Sequence, residues 1–451
     1  MTTEKAAEKK LPGWKRLYGF WAIMPSLCIN CWCGYGMWYT SFGPFLTKFV
    51  SVFGVSRTVA TGAQSTGNIL QVTGPLMGMF LDKVGYRKAC TVAVIVMMIG
   101  CLFIAFSAAP NYWMIYVAYI LMAPLGLNIP TYGGASKTVN SWFLKRRGLM
   151  MGILTAVTGF VYMSAAIQGF FIDRGGIAGG AWYVFALGIP MLLVTIFVIR
   201  NKASDFGVGL DGAPLTAKTA TDGGQKAPAK PKGKEGKVVA KFSYVQALRS
   251  PNLWLILFSY SFIVQLANTF TVGNYVAFLQ GFGMGAGAAG AIWGMMGICG
   301  IPARFVWGPL MDLTGRGTER FWFALGIFMM AIGVVGLLQV HTAQDFFWVW
   351  WWTAWWGLGY GGCMTALLVI FASYWGPGVY GSVFGTKGVL QGIAGFIGPL
   401  MGGVVYDMTG SYTMALWICV VILVVSTVIM CLAAAPKMNA DGTPFVKAKA
   451  A

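Results

Sequence analysis

A chain of 451 residues with 57% hydrophobic and only 10% charged residues is too apolar for an ordinary soluble domain. Its formal net charge of +19 raises nucleic acid as a partner, but the placement of the positive residues speaks for a lipid bilayer instead. Apolar runs recur at 17–41, 58–81, 89–109, 112–135, 148–172, 180–200, 253–279, 288–311, 321–340, 346–374, 381–406 and 412–435. Most reach the ~20 residues that a helix needs to cross a bilayer, which predicts an all-α membrane protein of twelve transmembrane helices. The first run is long and lacks a small-residue cleavage site, so it reads as a retained span and not as a signal peptide.

With both termini on one side, 27 of the 32 Lys and Arg residues fall on that side. Only Lys48, Arg57 and Arg174 fall on the other, and Arg304 and Lys387 lie inside spans. Positive residues mark the cytoplasmic side, so the chain is expected to be a multi-pass protein of the inner (plasma) membrane with both termini cytoplasmic, and a monomer.

Taken in order, residues 1–16 are a basic cytoplasmic tail. The first span carries Cys28, Cys31 and Cys33, which read better as small buried hydrophobes than as a metal site, since no His or acid is near. Its outer half holds Trp32, Tyr35, Trp38 and Tyr39. Part of this is an interfacial aromatic belt, but Tyr35 and Trp38 share a face and can line a cavity. Gln64, Asn68 and Gln71 also share one face of their helix. Such amides point inward, to a partner helix or to a solute, and the sequence favours neither.

A loop motif follows with Gly78, Asp82, Lys83, Gly85, Arg87 and Lys88. Asp312 and Gly315 match Asp82 and Gly85 at an offset of 230, which divides the chain into two six-helix halves, 17–200 and 251–435. The acid of each motif can brace neighbouring helices through charge-assisted bonds. Residues 201–250 between the halves have the composition of a cytoplasmic linker, and 436–451 form a second cytoplasmic tail.

Arg304 lies eight residues before Asp312, about 12 Å into a helix at ~1.5 Å per residue. That is near the middle of a hydrocarbon core, where a cation costs about 2.5–3.5 kcal/mol even on insertion scales. Lys387 is a second cation inside an apolar run, and the spans offer no mid-span Asp or Glu to match either charge. This pattern calls for an anion that comes and goes. Trp356 is the deepest of a tryptophan-rich stretch, followed by Gly357, Gly359, Gly361 and Gly362, a run suited to close helix contact or to bending. His341, the only histidine, falls in an external loop. No cofactor, nucleotide loop or metal site is expected.

The repeated loop motif resembles that of the major facilitator superfamily. Gln71–Pro75, Tyr132-Gly133, Asn140–Phe143, Arg304–Gly308 and Tyr380-Gly381 with Lys387 resemble its oxalate–formate antiporter family. The resemblance implies a transporter, not an enzyme, with Arg304 and Lys387 holding a small carboxylate anion. It implies an aromatic cage from Trp38, Tyr132 and Trp356, with Tyr35 on a looser alignment. The family's tryptophan three residues before the lysine is Phe384 here, and its span 2 glutamine is Asn68, although Gln71 remains. Proton-coupled monocarboxylate symporters are the rival resemblance, through Phe143, Arg146, Arg147 and Gly152. They usually carry an aspartate one turn before the span 8 arginine, where this chain has Gly300. A carboxylate-sensing receptor and an anion channel are further alternatives, and a purely structural role for both cations is the bland one.

Overall fold

The computed structural model describes residues 12–143, 147–213, 242–375 and 380–437. In chain order the main helices are α1 (Met24–Trp38), α2 (Phe42–Phe53), α3 (Arg57–Ile69), α4 (Gly74–Val84) and α5 (Tyr86–Ala105). Next come α6 (Trp113–Asn128), α7 (Tyr132–Trp142), α8 (Arg147–Phe160) and α9 (Ser164–Leu193). After the connector follow α10 (Gln265–Gln280), α11 (Ala286–Thr314), α12 (Glu319–Leu337), α13 (Phe346–Trp375), α14 (Tyr380–Thr409) and α15 (Thr413–Leu432). Among the described residues, eight helices are long and apolar enough to cross a membrane by length and composition.

Helix boundaries depart from the apolar runs where the backbone chemistry demands it. The run 58–81 is interrupted by a 3-10 turn over Leu70–Thr73, just before Pro75, which has no N–H to continue an α-helical ladder. The run 112–135 ends at Asn128 and restarts at Tyr132. The corner is tight enough that a Cβ on Gly133 would sit 2.2 Å from the Asn128 carbonyl oxygen. The runs 148–172 and 180–200 join in one apolar stretch, Leu149–Val198, broken at Gly176, whose φ of +61° a side chain rarely adopts. Gly85 and Gly315, the repeated glycines of the loop motif, have φ of +82° and +88°, so each loop turns on a left-handed residue. Arg87 donates to the Ile196 carbonyl and its backbone N–H to Asn201 Oδ1 at 2.8 Å. Gly78 falls within α4, and the side chains of Asp82 and Asp312 lie outside the described residues.

The start of the 201–250 connector is packed and not simply solvated: Phe206 stacks on Tyr18 at 4.0 Å, and Ala203 and Val208 are buried. Glu319 begins α12 and is buried, accepting a 2.6 Å bond from Ser373 Oγ. A buried carboxylate needs such a donor. His341 is exposed between α12 and α13, its backbone N–H bound to Asp345 Oδ2 at 2.8 Å. Cys31 and Cys33 are buried free thiols.

Close approaches hold the helices around the centre. α9 runs along α11, and α3 along α14. At Gly297 a Cβ would meet the Gly159 carbonyl oxygen at 2.0 Å, and at Gly403 it would meet Thr61 Oγ1 at 2.4 Å. Small residues permit backbone-to-backbone packing where lipid provides no hydrophobic drive between helices. One face is also pinned by two carboxylates. Asp173 of α9 accepts from the N–H groups of Ala286 (3.1 Å) and Gly287 (3.0 Å) at the start of α11. Asp407 of α14 accepts from those of Arg57 (3.0 Å) and Thr58 (2.8 Å) at the start of α3. The orphan N–H groups and positive end of each helix favour a carboxylate there.

Candidate functional site

Away from that pinned face, between the helices, lies a cavity of about 430 Å³. α1 contributes Tyr35 and Trp38, the residue that ends it Tyr39, and the turn before α4 Gln71. From the later helices come Arg304 on α11, Tyr360 on α13, Lys387 on α14 and Gln265 on α10. None of the described lining residues is Asp or Glu. Two cations therefore open on one space whose polar remainder consists of amides and hydroxyls.

Arg304 is half-buried, and its contacts are specific. Nη1 donates to the Thr155 carbonyl at 2.6 Å and to Thr158 Oγ1 at 2.7 Å, both on α8. Its Nε is buried with no hydrogen-bond partner. Lys387 is only 8% exposed. One turn further along α14, Gln391 also lines the cavity and donates to Gln265 Oε1 at 3.3 Å.

Two of the three amides from the second apolar run divide their tasks. Gln71 lines the cavity, whereas Asn68 does not. Asn68 is buried, donates to the Gly395 carbonyl at 3.0 Å and accepts from Gln71 Nε2 at 3.0 Å. It thus joins α3 to α14 and orients Gln71 from behind. Trp38 packs flat enough on α6 that a Cβ at Gly126 would lie 2.1 Å from its ring. Its Nε1 is buried without a hydrogen-bond partner.

The structure does not bring Trp356 to the cavity lining. It is 0% exposed, stacked on Trp352 with ring centroids 5.6 Å apart, and Tyr360 one turn later lines the space. The side chains of Tyr132 and Phe384 lie outside the described residues. Sequence reasoning also passed over Tyr39, Tyr162, Gln265, Gln391, Thr155 and Thr158, all of which line the cavity. The spacing of Thr155 and Thr158, three apart on one helix face, was the available signal. The glycine run after Trp356 makes close contacts: Gly357 and Gly361 press against the backbone of α11 at Met296 and Gly300, and α13 stays one helix.

Two cations of a helical chain with membrane-length apolar spans thus share one cavity between the helices, and the family match places the chain among transporters. The model of the Major Facilitator Superfamily matches residues 27–399, and the chain belongs to that superfamily. In sequence it is 24% identical over 319 residues to the oxalate:formate antiporter of Oxalobacter formigenes, covering 68% of this chain and 66% of that one. It is 27% identical over 121 residues to human monocarboxylate transporter 14, covering 27% of this chain and 23% of that one. The chain thus spans just under two thirds of the first relative and under a quarter of the second. Its fold is similar to the D-xylose-proton symporter (TM-score 0.68, 13% identity, covering 94% of this chain and 99% of that one). It is similar as well to a mutant of the nucleoside transporter NupG (TM-score 0.67, 12% identity, 93% and 99%). These likenesses establish the all-helical major facilitator fold.

Proposed function

We propose that the protein exchanges small carboxylate anions of the oxalate or formate type by alternating access, through twelve helices in two halves, 17–200 and 251–435. The observation that carries this reading is the opening of Arg304 and Lys387 onto one cavity lined by no described acid. An arginine grips a carboxylate bidentately, and a dianion matches both cations. An empty carrier must take two like charges through a low-dielectric occluded state, which is costly. Loaded carriers then reorient faster than empty ones, and the result is exchange with the halves rocking about a midplane site. Similarity to the oxalate:formate antiporter supports the substrate class.

Proton-coupled symport of monocarboxylates is the second reading, favoured by the shorter likeness to monocarboxylate transporter 14. The packing at Gly300 argues against it. A Cβ there would lie 2.7 Å from the Gly357 carbonyl oxygen, so the rival family's aspartate has no room in this arrangement. Liposomes loaded with oxalate, formate, lactate or buffer alone separate the two. Exchange predicts uptake that requires internal carboxylate and ignores an imposed pH gradient. Fast uptake into buffer-loaded liposomes that follows the gradient would sink the exchange model.

On the charge asymmetry we read both termini and residues 201–250 as cytoplasmic, and we propose a monomeric protein of the plasma membrane. The face pinned by Asp173 and Asp407 is then external, and the cavity serves the cytoplasmic side. Protease added outside intact cells is expected to leave the connector uncut, and cleavage there would reverse the orientation.

A further inference from the structure

We propose that Thr158 is the parking site of Arg304 in the empty carrier, and that an arriving carboxylate takes the guanidinium from it and so unties the two halves. This rests on the reading of Arg304 as a carboxylate ligand. Thr158 Oγ1 donates to the Thr155 carbonyl at 2.6 Å. Its proton is thus committed within α8, and its lone pairs face Arg304 Nη1 at 2.7 Å. The Thr155 carbonyl takes the second Nη1 bond at 2.6 Å. Nη1 is therefore saturated by two acceptors of the opposite half, while Nε on the other edge is buried and unbonded.

A buried N–H without an acceptor is unfavourable. The parked arginine is thus held on one edge and starved on the other. A carboxylate lying side-on across Nε and Nη2 supplies what is missing, in the bidentate geometry that a guanidinium favours. Nε is enclosed in the parked state, so the planar group must turn to present that edge, and turning draws Nη1 off Thr158. Thr155, Thr158 and Arg304 all line the cavity, so the exchange of partners happens where the anion arrives. Because α8 and α11 belong to opposite halves, losing this bond removes a cross-tie at the moment of loading. Thr158 is thus a positioning residue that links binding to movement.

The test compares wild type, Thr158→Val and Thr158→Ser for binding and flux of oxalate, formate and lactate. Valine keeps the shape and removes the acceptor. Its carboxylate affinity is expected to rise, by up to about tenfold because the Thr155 carbonyl still competes. Net uptake into empty liposomes should rise relative to exchange, and serine should restore both wild-type values. An unchanged or weakened affinity with an unchanged ratio of net uptake to exchange overturns the parking role. Failure of the wild type to bind any of the three acids overturns the carboxylate reading itself, and the parking role with it. Thermal unfolding of each purified variant separates misfolding from a change in mechanism.

Discussion

Arg304→Lys is expected to abolish carboxylate binding although it keeps the positive charge. Lysine offers a compact ammonium on a flexible stem in place of a planar fork. It has no planar edge of paired N–H groups with which to bridge a carboxylate side-on. Lys387→Ala should have a similar effect by removing the second charge of the cavity. Truncating one partner of a buried charged contact costs on the order of 2–5 kcal/mol, or roughly 30- to several-thousandfold in affinity. Equilibrium binding of oxalate, formate and lactate to the purified variants measures this, with helical content and a single elution peak as controls for folding. Wild-type affinity in either variant would reduce that residue to a structural support.

The second large effect is expected at the pinned face. Asp173 and Asp407 each take two backbone N–H groups at the start of a helix from the other half. Replacing both by asparagine removes two charges from helix N-termini and leaves one carbonyl acceptor at each. Hydrogen bonds to charged groups contribute about 1.5–3 kcal/mol and the helix end a further ~0.3–1 kcal/mol. Since asparagine retains part of this, the double variant should shift the equilibrium towards opening on that face by about 3 kcal/mol, near a hundredfold. Spin labels on Val52→Cys and Met408→Cys report it, since Val52 and Met408 are exposed and flank the pinned elements. The half-buried Cys28, Cys299 and Cys431 should be replaced first. A longer label separation in the double variant is the expected result, and an unchanged one would show that glycine packing alone closes this face.

The two cations and the helical membrane class were legible because burying a charge in lipid is expensive wherever the helices go. Composition and run length therefore sufficed to single out Arg304 and Lys387, and both line the same cavity. The repeated glycines were legible for a local reason: a left-handed turn at Gly85 and Gly315 asks for a residue without Cβ.

Rotation of helices about their axes was not legible in the same way. α13 is apolar all round, so no periodic pattern told which aromatic faces the cavity. Only packing against α12 and α11 turned Trp356 into the core and Tyr360 towards the space. Asn68 and Gln71 share a face of one run, and the 3-10 turn between α3 and α4 assigned one to a helix contact and the other to the lining. Asp173 and Asp407 sit in no sequence motif that names their partners. They become cross-ties only because α9 meets the start of α11 and α14 meets the start of α3. Which charges are costly and which backbones must turn can be read from the residues alone, since those are local energies. The tertiary structure alone decided which neutral groups face the cavity and which acceptors hold Arg304, since those depend on partners more than a hundred residues away.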